Sequence, residues 1–112
     1  MNRLPTHLVT SALIRRVGNA GGSAMVLARG DSEGGMILVL AGDRGGNLRF
    51  LERGMSRDGT AVLAQCGPDR IVDDAAATEY WQRRRRVDPD LWVIEVDVAD
   101  AERFVAETIL ND

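Results

Sequence analysis

The chain has 112 residues, 45% of them apolar and 28% charged, with a formal net charge of −3. That length suits one domain over residues 1–112 rather than two, and those proportions suit a packed globular chain that needs no disulfide framework. One cysteine, Cys66, excludes an intramolecular disulfide and favours a reducing compartment; the negative balance argues against a nucleic-acid-coating surface; and the longest apolar run, Met36 to Ala41, is far too short to span a bilayer.

Residues 6–20 read as a helix. Leu8, Val9, Ala12, Leu13, Val17 and Ala20 recur at the spacing of one helical face, and Gly21-Gly22 supplies a left-handed stop. A strand through Val9–Ile14 competes with it, because Val, Thr and Ile favour extended structure. Four strands follow: Ala24–Arg29, Met36–Ala41, Asn47–Arg53 and Thr60–Cys66, joined by turns rich in Gly and Asp. Short strands with such turns predict an antiparallel meander. Met36–Leu40 is apolar on both alternations, as a central strand covered on both faces would be. Asn47–Arg53 sets Leu48, Phe50 and Glu52 against Arg49, Leu51 and Arg53, the pattern of a half-buried or edge strand.

Gly67-Pro68-Asp69 ends the sheet run. Asp69, Asp73 and Asp74 load the start of a helix that runs to about Arg86, with acids and arginines complementing its dipole. Pro89 stops it. Leu91–Val98 is a fifth strand, with Trp92, Ile94, Val96 and Val98 on one face and Leu91, Val93, Glu95 and Asp97 on the other. It can pair with either sheet edge or insert between strands. Asp100 is placed to cap a last helix from Ala101 to about Leu110. The order α-β-β-β-β-α-β-α predicts an α+β fold: a mostly antiparallel sheet of about five strands with helices packed on it.

The chemistry-bearing features are few. All fourteen basic residues are arginine. Codon usage explains this as readily as a need for two-point carboxylate or phosphate binding. Residues 1–66 carry eight Arg against five acids, and residues 67–112 six Arg against twelve, so the two halves should attract each other. The tract Arg83–Arg86 suggests a phosphate contact. Successive helical residues step ~100° around the axis, however, so the four cannot form one basic stripe. Glu79, Asp88, Asp90 and Glu95 are near enough in sequence to pair with some of them. Asp88-Pro89-Asp90 offers two carboxylates on a rigid turn, for a cation or for acid–base work, or simply a turn whose Asp side chains bind backbone. The glycine clusters at 18–22 and 42–46 match neither the P-loop nor the dinucleotide-binding spacing. His7 is the only histidine, so no histidine metal cluster can form, and Cys66 reads as a small packing residue. Trp92 reads as core; Trp81, beside Tyr80 and the arginines, either packs its helix on the sheet or contributes to an interface patch.

Several stretches together resemble a known family. Leu4-Pro5-Thr6-His7-Leu8, Ser11–Arg16, Gly21-Gly22 and Val26–Asp31 look like the front half of a family of small bacterial proteins classed as a domain of unknown function. Arg83–Arg86 with Asp88-Pro89-Asp90-Leu91-Trp92-Val93-Ile94-Glu95 resembles its most specific segment. The chain departs from that family at Val87 and Val9, where aromatic residues are more usual. The resemblance implies a bacterial, cytoplasmic, single-domain protein and carries no activity, substrate or cofactor with it.

The sequence therefore predicts no catalytic residue, no metal site and no cofactor. Its leading expectation is a non-catalytic cytoplasmic module that binds another protein or itself, through Trp81, Arg84, Arg85, Asp88 and Asp90. The alternative is a nucleic-acid or phosphate-ligand binder using Arg83–Arg86, with Arg15 and Arg16 if the first helix lies close; the net charge counts against it. No membrane partner is expected.

Overall fold

The structure, a computed structural model, describes residues 4–110. Its elements are α1 (Thr6–Asn19), β1 (Ser23–Ala28), β2 (Ile37–Asp43), β3 (Gly46–Met55), β4 (Ala61–Cys66), α2 (Asp74–Val87), β5 (Trp92–Asp97) and α3 (Ala101–Ile109). This is the predicted order, in an α+β fold with a mixed, mostly antiparallel five-stranded sheet. Among the described residues no helix is long and apolar enough to cross a membrane.

Helix wins over strand at residues 6–19 because a stripe at helical spacing finds a core. Val9, Leu13 and Val17 are buried together against the sheet. The opening N–H groups of α1 lack a side-chain cap and bond instead to the β1–β2 loop: Thr6 and His7 N–H donate to Glu33 and Ser32 carbonyls at 3.1 and 3.0 Å. At the other end Gly21 takes φ +86, Gly22 N–H reaches Val17 O at 3.0 Å and Gly21 N–H reaches Gly18 O at 3.1 Å, a Schellman closure.

The four-strand meander holds only for β2-β3-β4. The sheet order is β1-β5-β2-β3-β4: β5 inserts between β1 and β2, antiparallel to the first and parallel to the second. The reason lies in burial. Trp92, Val93, Ile94 and Val96 are covered on both faces, which an edge position could not provide. β2 is central, as its two-sided apolar pattern requires. β3 is an interior strand rather than an edge: its second face buries Leu51 and Arg49.

Helices α1 and α3 cover one face, packing on Val39, Ala41, Leu51, Trp92, Ile94 and Val96. Helix α2 covers the other, over Leu38, Leu40, Phe50 and Val93. Asp73 caps α2 by accepting from Ala76 N–H at 2.8 Å. Asp100 does not cap α3. It sits at φ 61 without a cap bond, and its carboxylate takes Arg103 Nε–H at 2.8 Å. The predicted attraction between chain halves appears among the described residues in ion pairs such as Arg16–Glu107, Arg49–Glu102 and Arg84–Glu52.

Candidate functional site

The C-terminal half of α2, the turn after it and the end of β1 bring the predicted residues into one neighbourhood, in two different roles. The arginine tract splays as its helical spacing demands. Arg83 turns outward and pairs with Glu79 at 3.7 Å, while Arg86 is exposed. Arg84 turns onto the sheet, where its guanidinium donates to Glu52 Oε1 at 2.7 Å and Tyr80 Oη at 2.9 Å, with Cys66 Sγ at 3.9 Å. Burial opposes the Arg84 charge, but the hydrogen bonds it donates to Glu52 and Tyr80 outweigh that and hold its pKa above the ordinary guanidinium value. Burial and the Glu52 carboxylate push the Cys66 thiol up, so it stays protonated at neutral pH and packs rather than attacks.

Arg85 binds three backbone carbonyls: Leu91 O at 3.0 Å, Pro89 O at 2.9 Å and Arg29 O at 2.9 Å. It thereby ties the end of β1 to the entry of β5. The two aspartates belong to the same junction. Asp88 Oδ1 accepts Asp90 N–H at 3.2 Å within the turn, and Asp90 O accepts Asp31 N–H at 3.0 Å. Their carboxylates do not converge on the arginines; the tract's ion pairs run to Glu52 and Glu79 instead. Trp92 is buried, donates its indole N–H to Asp31 O at 2.7 Å and lies under Arg29 at 4.9 Å.

Trp81 is half-buried and packs partly on the core under α2, with the rest of its ring left to solvent. With Leu27, Ala28, Gln82, Arg85 and Arg86 it lines an open groove between β1 and α2. Met25, 55% exposed, is on the same face of β1, since Ala24 and Val26 point into the opposite core. Leu27, Ala28 and Gln82 were not singled out from the sequence, because the neighbourhood depends on β1 lying beside β5, which no local pattern encodes; Arg86 was, as part of the arginine tract. Glu52 did carry a signal: a carboxylate alternating with Leu48 and Phe50 on an apolar face needs a buried partner.

Two further places are accounted for. The Gly42–Gly46 turn, a phosphate-loop candidate by composition, has Arg44 and Gly45 at φ 54 and 75; their N–H groups already hold the Asp97 carboxylate, at 2.7 and 2.8 Å. A cavity of about 190 Å³ lies between the start of α1, the β1–β2 loop and the end of α3, walled by Val9, Met36, Ile37 and Ile109, with the Arg53 guanidinium donating to Ile109 O at 3.1 Å.

Compared with known proteins, the chain matches over residues 4–106 the family described as "Protein of unknown function (DUF1491)". The crystal structure of a DUF1491 family protein from Caulobacter crescentus CB15 is 35% identical, with a TM-score of 0.77 over 91% of this chain and 94% of that one. An NMR structure of a DUF1491 family protein from the same organism is 34% identical, with a TM-score of 0.74 over 93% and 94%. The solution structure of protein Atu0922 from A. tumefaciens is 28% identical, with a TM-score of 0.68 over 88% and 89%. No curated protein matches the chain.

Proposed function

The chain belongs to the DUF1491 family of proteins of unknown function, and from that premise we propose that it is a single-domain cytoplasmic interaction module whose binding surface is the β1–α2 groove. The observation that carries this reading is the groove's composition. Its floor is apolar (Leu27, Ala28 and the face of Trp81), and its helical wall ends in the exposed Arg86. An aromatic anchor beside an arginine is the residue chemistry of interface hot spots. Cationic groups on a chain of net charge −3 favour an acidic partner. The occupant is a segment of a partner protein that sets an apolar side chain on Trp81 and a carboxylate on Arg86.

Nucleic acid fits less well, because Arg84 and Arg85 spend their donors on Glu52, Tyr80 and backbone carbonyls rather than presenting them to phosphates. The test is peptide-display selection on the wild type, counter-selected on a folded Trp81→Ala, Arg86→Glu variant. The reading expects enriched peptides that pair an apolar residue with Asp or Glu and lose binding to the variant. Peptides that bind both proteins equally contradict it.

A further inference from the structure

The cavity at the start of α1 lies on the face covered by α1 and α3, opposite the β1–α2 groove. Separate parts of the chain wall it: Val9 from α1, Met36 and Ile37 at the start of β2, Arg53 from β3 and Ile109 from α3. Its volume of about 190 Å³ is far more than one water molecule needs. Packed interiors keep few voids larger than a water. Leu4 and Met36, 53% and 42% exposed, line it where it meets solvent and give it a way in.

Two properties of the walls decide what suits it. Polar groups in them are already bonded within the protein: Thr6 Oγ1 donates to Gly35 O at 2.8 Å, Gly34 N–H to Asp31 Oδ2 at 2.8 Å and Gly35 N–H to Asp31 O at 3.3 Å. Water inside would find few of the two to four partners it needs. The charged lining residues, Glu33 and Arg53, are of opposite sign, so the walls select neither an anion nor a cation. We propose that this cavity is a binding site for a small uncharged apolar molecule, of the size of a substituted benzene ring. An apolar cavity of about 150 Å³ stays dry and takes up benzene, and Val9, Ile37 and Ile109 supply the same aliphatic contacts here. The unbranched, polarizable Met36 side chain lets the mouth adapt to its occupant.

A methyl-resolved NMR titration of the full chain tests this independently of the groove. Toluene is the probe, with benzoate and benzylammonium as its charged counterparts. Toluene should shift the Val9, Ile37 and Ile109 methyl signals saturably and show through-space proton contacts to them, while Leu27 in the groove stays unmoved. It should raise the thermal midpoint over the same concentrations. The charged compounds should bind roughly ten-fold more weakly or worse, because the walls offer nothing to replace their hydration. Val9→Phe, which puts a ring into the cavity, should lose the shifts; Val9→Ala, which enlarges it, should keep them. The Trp81→Ala, Arg86→Glu variant should bind toluene like the wild type. No saturable shift up to the solubility limit of toluene, contacts to groove and cavity alike, tighter binding of either charged compound, or unchanged shifts in a folded Val9→Phe protein would overturn the proposal.

Discussion

Arg84 brings a full charge to a face built from Phe50, Leu38 and the Tyr80 ring, and Glu52 is what makes that position tolerable. The Phe50 and Tyr80 rings, 4.6 Å apart and tilted 44° to each other, lie beneath it, so removing the guanidinium strands a half-buried carboxylate among aromatic rings. Arg84→Ala should cost about 2 kcal/mol in denaturant unfolding, the scale of a lost charge-assisted hydrogen bond. A second ion pair sets a pH dependence. The hydrogen bonds of Arg49 hold the Glu102 carboxyl below its ordinary 4.5. A carboxyl depressed in the folded state contributes stability that is present above its ordinary pKa and lost as pH falls through the folded value. Thermal midpoints should therefore decline on acidification. Glu102→Gln should be less stable at neutral pH and lose less on acidification; parallel midpoint curves for the two proteins would contradict this.

At the scale of elements, the β1–β2 loop is the joint on which the fold closes. It caps α1 with its carbonyls, accepts the Trp92 indole and docks by backbone on the Asp88–Leu91 turn. Gly30 and Gly35 permit that approach, since a Cβ would lie 2.0 and 2.2 Å from Asp90 O. Gly30→Ala should destabilise the protein by about 1–3 kcal/mol through backbone displacement. Gly34→Ala, whose Cβ would have room, should stay within about 0.5 kcal/mol in the same denaturant series. Most elements were legible in the sequence, because each carries its own period and stop signals, as in the two-sided run at Met36–Leu40; at residues 6–20 the stripe of Val9, Leu13 and Val17 before Gly21-Gly22 left a strand through Val9–Ile14 in competition. Strand order was not legible. The insertion of β5 is decided by which partners bury Trp92 and Ile94, a long-range matter that no local pattern states. The turn role of Asp88-Pro89-Asp90 was among the sequence readings and holds, Asp88 Oδ1 accepting from Asp90 N–H; its docking on the β1–β2 loop was hidden, since that loop lies more than fifty residues away in sequence.

For the whole molecule, the arginine tract divides residues that hold the fold from residues left on the surface. One helix turn sends Arg84 and Arg85 inward, to the sheet and to the β1–β5 junction, and leaves Arg83 and Arg86 outward, Arg83 beside Glu79 and Tyr80 and Arg86 in the groove with Trp81. The proposed groove depends on this division, because only the outward residues are available to a partner. The most direct measurement is equilibrium denaturation of four single variants, Arg83→Ala, Arg84→Ala, Arg85→Ala and Arg86→Ala. The expected result is a loss of about 1–3 kcal/mol for Arg84 and Arg85 and a change within about 0.5 kcal/mol for Arg83 and Arg86. Four equal losses, or a large loss at Arg86 with none at Arg85, would contradict the division and remove the basis for the groove.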